Sequence, residues 1–145
     1  MITKRFYSVP EHSTFGDVAL LLIRVVAGIG FMFHGWGKIQ NPFGWMGPEA
    51  PIPGIFQALA ALSEFGGGLA WVLGLLTPLA SLGIGITMAV AFSFHAFQQG
   101  DPFVAQGPGQ ASYEPALLYL ALAVLMFAMG PGRFSLDKIL FGPRR

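Results

Sequence analysis

The chain has 145 residues, 54% of them hydrophobic and only 10% charged, with a formal net charge of +1. Soluble domains carry about a quarter charged residues, so this composition excludes an ordinary globular domain, and near-neutrality leaves no electrostatic footprint for nucleic acid. No cysteine is present, which rules out disulfides, thiolate metal sites and iron–sulfur ligation by this chain alone.

Met1 to Gly16 is polar and of mixed charge. It lacks a basic stretch leading into a short apolar core with a small-residue cleavage site, so no removable signal peptide is expected and the first apolar helix is kept. Four apolar segments follow: Asp17 to Trp36, Ile55 to Leu76, Leu79 to Phe97 and Tyr113 to Met129. A membrane span needs about 17–25 residues at 1.5 Å rise each, and each segment reaches that range. They lack the polar outer face of a soluble bundle. The length of the chain suits one domain, residues 1–145. The expected fold is all-α, an antiparallel four-helix transmembrane bundle.

The connections differ in kind. Ile39 to Gly54 is rich in Pro and Gly and carries Phe43, Trp45 and Met46. Thr77-Pro78 is expected to form a tight turn between spans two and three, whereas Gln98 to Ser112 is another long loop. After span four, Gly130-Pro131-Gly132 reads as a sharp stop. Ser135 then suits an N-cap, and Phe134, Leu136, Ile139, Leu140 and Phe141 supply the apolar surface for a short interfacial helix.

Charge orients the bundle. Lys4, Arg5, Arg133, Lys138, Arg144 and Arg145 share the side of the termini, and Lys38 stands alone on the side of the long loops. The positive-inside rule places both termini in the cytoplasm.

Small residues mark the seams where membrane helices approach. In span one Arg24, Gly28, Phe31, Gly35 and Lys38 form one stripe; in span two Gln57, Ala60 or Ala61, Glu64, Gly67 or Gly68, and Trp71 form another. Counted from the terminal side, Arg24 lies about 10 Å deep and Glu64 about 16 Å. An unpaired charge there costs at least about 2.5–3.5 kcal/mol, so an Arg24–Glu64 ion pair is expected, either locking the two spans or taking part in function. A further seam, Gly83-Thr87-Ala91, is suited to a homodimer.

A second polar group gathers towards the loops. His34 and Lys38 are four apart and share a face. His95 and Glu114 are expected at the same height, with Trp36 and Tyr113 beside them, so three spans deliver polar groups to one outward layer. His34, His95 and Glu114 are the candidate proton-handling residues; Lys38, Trp36 and Tyr113 are expected to line the pocket. Such groups can pass the protons that quinone chemistry requires. Haem or metal ligation by the histidines is a lesser alternative, since the spacing matches no ligand motif, and no metal site is predicted. His34, Lys38 and Glu114 also suit the headgroup level, His95 also suits a bond to a backbone carbonyl at the helix end, and His12 reads as solvated. No P-loop, dinucleotide-binding glycine motif or nucleophile elbow is present.

Phe33-His34-Gly35 with Lys38, Glu64-Phe65-Gly66-Gly67, Leu75-Leu76-Thr77-Pro78, Tyr113-Glu114 and Gly130-Pro131-Gly132-Arg133-Phe134-Ser135-Leu136-Asp137 together resemble the DoxX family of small bacterial membrane proteins. The resemblance runs from about Leu20 to Leu140. It implies a four-helix bundle in the bacterial inner membrane and an association with respiratory or sulfur redox chemistry, since relatives include the membrane subunit of thiosulfate:quinone oxidoreductase. It also implies partnership with a soluble or membrane redox protein, and maps the family's polar positions onto Arg24, His34, Lys38, Glu64 and His95, with Glu114 added. The leading expectation is a membrane subunit of an oxidoreductase system with an outward pocket for a quinone or similar apolar molecule. The alternatives are a non-catalytic anchor or assembly partner, and a permeation path using Arg24 and Glu64 as a relay.

Overall fold

A computed structural model describes residues 6–142. Lys4, Arg5, Arg144 and Arg145, which enter the charge argument, lie outside the described residues. The described elements are helices in the order α1 (Thr14–Gln40), α2 (Gly54–Leu73), α3 (Thr77–Gln99), α4 (Glu114–Met129) and α5 (Leu136–Phe141). The first three are long and apolar enough to cross a membrane. α4 is apolar but has only 16 residues.

The helices run up, down, up and down. The start of α1, the α2–α3 turn and the residues after α4 meet at one end, where Arg24 reaches Pro131 and Phe134, and Asp137 reaches Thr77. The long loops meet the other end, where Trp45 bonds Gln57 and His95 bonds Asp101. Both described chain ends therefore share the side called terminal below; the opposite side is the loop side.

Ser13 caps α1, its side chain accepting from the Gly16 N–H at 3.1 Å. That satisfies one of the orphan amides of the first turn. α1 then lies against α2 along the glycine seams. A Cβ on Gly28 would stand 2.6 Å from the Gly68 carbonyl oxygen, and one on Gly35 would stand 2.5 Å from the Phe65 nitrogen. Backbone contact of this kind is what holds helices together in lipid, where no hydrophobic drive exists between them. Phe31, Trp71, Ile84 and Met126 fill the core between the helices, all nearly or wholly buried. The Trp71 indole N–H donates to Ser81 Oγ at 3.0 Å, so the core's largest polar atom is satisfied.

The α2–α3 connection differs from expectation. The reversal falls at Gly74 to Leu76, with left-handed φ of 63° at Gly74 and 49° at Leu76, and Thr77-Pro78 opens α3 instead. Proline at a helix start is favoured because its missing N–H would be unpaired there anyway. The Gly83-Thr87-Ala91 seam meets α2 of the same chain at its first residue. A Cβ on Gly83 would stand 3.0 Å from Ser63 Oγ of α2, so this glycine serves packing within the chain.

Candidate functional site

At the terminal end, the polar groups hold the fold together. Arg24 is 1% exposed and gives its two terminal nitrogens to the carbonyls of Pro131 (2.5 Å) and Phe134 (2.6 Å). Asp17 accepts from the Arg133 N–H at 2.9 Å and pairs with its guanidinium at 3.5 Å. Asp137, fully buried, accepts from the N–H groups of Leu76 and Thr77 and so caps α3 from 60 residues away. Ser135 caps α5 as expected, accepting from Lys138 N–H at 3.2 Å. His12 is less free than its sequence setting suggests: Nε2 lies 2.9 Å from the Met129 carbonyl oxygen.

The expected Arg24–Glu64 pair does not form. Arg24 lies level with Gly74, where a Cβ would stand 2.7 Å from its Nη1. Glu64 is ten residues up α2 from Gly74, about 15 Å away. Depth counting failed because α1 begins well beyond the end of α2, so positions equally deep by sequence are not level.

Glu64 is paired with Lys38, whose Nζ stands 2.6 Å from Oε1. Glu64 is 2% exposed, and its second oxygen, Oε2, is buried with no hydrogen-bond partner among the described residues. The backbone that presents it is unusual. Leu62–Gly66 forms a π-helical turn within α2, a wider coil that shifts side chains off the regular seam and often marks functional positions. Gly35 makes room for that turn. Above the pair, the Lys38 ammonium lies 4.5 Å from the centre of the Trp45 ring, a favourable cation–π arrangement. Trp45 is held there by its N–H bond to the Gln57 carbonyl at 2.9 Å. The Gln57 side chain in turn accepts from Met46 N–H and donates to the Ile52 carbonyl, stapling the α1–α2 loop.

His34 faces the other way around α1, towards α4. Its ring lies 6.0 Å from Tyr119 in an edge-on arrangement, and Phe31 packs against the same tyrosine at 4.3 Å. Gly30 admits the tyrosine, whose hydroxyl occupies the space a Cβ there would need. His34 is exposed on the outer surface of the bundle and forms no hydrogen bond among the described residues. Because Gly35 touches Glu64 and Phe65, His34 and Glu64 stand at one level on two sides of α1.

The rest of the outward layer divides. His95 lies in a π-helical end of α3, with Nδ1 2.7 Å from Asp101 Oδ2, and the Asp101 N–H donates to the His95 carbonyl. No contact joins it to His34. Glu114 opens α4 half-buried, its N–H donating to the Phe103 carbonyl at 3.1 Å, and Tyr113 packs edge-on against Phe92 at 5.4 Å. Trp36, expected in the pocket, is 57% exposed and leans on Phe65 at the membrane face. Open grooves include one of about 520 Å³ at the α1–α2 loop around Asn41, Phe43 and Gln57, and one of about 310 Å³ between α3 and α4 around Gly85 and Ala123. Neither is lined by His34, His95 or Glu114.

The loop-side site therefore consists of Glu64, Lys38 and Trp45 on one side of α1 and His34 with Tyr119 on the other. Tyr119, Asp101 and Asp137 were not singled out from the sequence. Tyr119 was legible in principle: it lies five residues into α4, opposite the small Gly30.

The DoxX family model matches residues 19–96. Over 130 residues the chain is 34% identical to the inner membrane protein YqjF of Escherichia coli (strain K12), covering 86% of this chain and 93% of that protein. Over 124 residues it is 29% identical to an uncharacterized protein of Haemophilus influenzae (strain ATCC 51907 / DSM 11121 / KW20 / Rd), covering 84% of this chain and 90% of that protein. No solved structure matches. With more than half its length matched by the family model and a relative above 30% identity across most of both chains, this multi-pass membrane protein belongs to the DoxX family.

Proposed function

We propose that the protein is an integral membrane subunit of an oxidoreductase system that engages a quinone or similar apolar redox molecule at the loop-side edge between α1 and α4. The observation that carries this reading is the placement of His34. Its imidazole lies at the membrane face against Tyr119, without a hydrogen-bond partner among the described residues. A polar ring in that position is stabilised by a hydrogen-bonding ligand arriving through the bilayer. A planar carbonyl-bearing molecule would take its hydrogen bond from His34 and lie against the Tyr119 ring. Histidine exchanges protons near neutral pH, which such chemistry requires. With no cysteine in the chain, no thiol here relays electrons, and a partner protein or a bound cofactor would supply them.

The bias of Lys and Arg supports cytoplasmic termini and an outward-facing loop side, and the name of the YqjF relative supports the bacterial inner membrane. Arg24 and Glu64 stand about 15 Å apart along α2, which counts against a relay that joins them directly.

Titrating the purified protein with a short-chain quinone and following tryptophan quenching tests the proposal. Saturable binding that His34→Ala abolishes and Tyr119→Phe leaves in place or weakens is the expected result. Absence of saturable binding, or full binding by His34→Ala, overturns it.

A further inference from the structure

The geometry points to Glu64, with Lys38 as its counter-ion, as a proton-exchange site inside the membrane that communicates with the loop side alone. The inference concerns the neighbour of the proposed ligand site, and its test needs no ligand, so the two can fail separately.

A carboxylate that served only to pair with Lys38 would be expected to satisfy both oxygens. Here Oε1 takes the Lys38 ammonium at 2.6 Å, and Oε2 is buried without a partner among the described residues. An anionic oxygen in that state is costly, and a proton on it removes the charge. The site is also placed for exchange. Lys38 is 26% exposed at the side chain while Glu64 is 3%, so the pair spans from the loop-side surface into the core. Trp45 covers the ammonium from above without sealing it. The step is simple: a proton delivered by hydronium from the loop side binds Oε2 and releases water, and Oε1 keeps its bond to Lys38. The reverse step returns the proton to water.

The groups around Glu64 limit what else can take part. α1 supplies Lys38 and, on its α4-facing side, His34. α4 supplies Tyr119, which packs on His34. α3 meets this stretch through Gly83 at Ser63 and Ile84 at Gly67, neither titratable. The loop above contributes Trp45, and His95, Asp101 and Glu114 stand at the loop-side ends of α3 and α4.

Towards the terminal side the picture is different. From Glu64 down to Arg24 the helices bury Phe31, Trp71, Ile84 and Met126, with the Trp71 N–H spent on Ser81; the described residues there include no carboxylate, amine or histidine, and the one phenol, Tyr119, lies at Gly30 on the α4 side of α1, away from Glu64. Below them Arg24, Asp17 and Asp137 are committed to backbone groups of the closing segment. A proton on Glu64 thus has an aqueous connection in one direction only.

Dicyclohexylcarbodiimide, an apolar reagent that adds to protonated carboxyl groups within membranes, provides the test. The protein is reconstituted in vesicles of established orientation, the pH is set independently on each side, and the adduct is located by mass spectrometry. The expected result is labelling at Glu64, absent in Glu64→Gln, at a rate that rises several-fold as the loop-side pH falls and ignores the terminal-side pH. Lys38→Met, which removes the counter-ion favouring the carboxylate, is expected to label several-fold faster. A rate that follows the terminal-side pH overturns the inference. So does an unlabelled Glu64 in both the parent protein and Lys38→Met, or a Lys38→Met rate no higher than the parent's.

Discussion

The carboxylate of Asp137 lies 2.8 Å from the backbone nitrogen of Thr77 and 2.7 Å from that of Leu76, so a residue near the end of the chain caps a helix that begins in its middle. The Asp137 N–H also donates to the Gly74 carbonyl at 2.8 Å. Both sides of the left-handed turn at Gly74 to Leu76 are thereby satisfied by the segment after α4. A negative charge at a helix N-terminus adds a favourable interaction with the helix dipole.

Removing that cap is expected to be expensive. Asp137→Ala leaves two amide N–H groups without acceptors at a buried site, for a loss of about 2–4 kcal/mol, and Asp137→Asn, which keeps one acceptor, is expected to lose roughly half as much. Unfolding in mixed detergent micelles with rising dodecyl sulfate, followed by tryptophan fluorescence, measures both. Equal stability of Asp137→Ala and the parent would contradict the capping role.

Arg24 and Glu64 are expected to act independently. Each single substitution, Arg24→Met and Glu64→Gln, changes stability, yet the double variant should equal their sum within about 0.5 kcal/mol, because groups more than 7–10 Å apart without shared partners are additive. A coupling above about 1 kcal/mol in the same unfolding experiment would restore the direct pair.

Glycine positions separate close contact from helix propensity. Gly68→Ala places a methyl group 2.7 Å from the Gly28 carbonyl oxygen, and is expected to destabilise the bundle by about 1–3 kcal/mol through forced separation of α1 and α2. Gly37→Ala meets nothing within 4 Å and is expected to be neutral or to stabilise by up to about 1 kcal/mol. Thermal unfolding of the two variants side by side checks the contrast.

Trp45 governs access to Lys38. In Trp45→Ala the ammonium loses its aromatic cover, and its acylation by a membrane-impermeant amine reagent is expected to accelerate several-fold from the loop side, with none from the terminal side. Peptide mass mapping reads the site. An unchanged rate would mean that Glu64, and not the indole, limits access.

The seams were legible in the sequence because a close helix crossing demands missing Cβ atoms at fixed helical spacing, and Gly28, Gly35 and Gly68 are where α1 and α2 touch. Helix limits came within a few residues, since apolar runs end where polar loops begin. Charge partners were not legible. Arg24 chose backbone carbonyls of Pro131 and Phe134, and a residue's backbone leaves no trace in its side-chain chemistry. Lys38, placed at the end of span one, reaches back to Glu64, which a count of Cα positions cannot register. The π-helical turns at Leu62–Gly66 and Phe94–Gln99 have no compositional mark, yet they set the direction of Glu64 and His95.

α4 is 16 residues long, so it rises about 24 Å, against roughly 30 Å for the hydrocarbon layer. α1, at 27 residues, is far longer than that layer. Local thinning of the lipid is one way to meet the ends of so short a helix, at a small cost per ångström of mismatch. Thinning of about 3 Å on each face would bring the headgroups nearer to Tyr119 and to the His34 imidazole beside it. An amphiphile carrying a polar ring on an apolar tail would find its own preferred depth there.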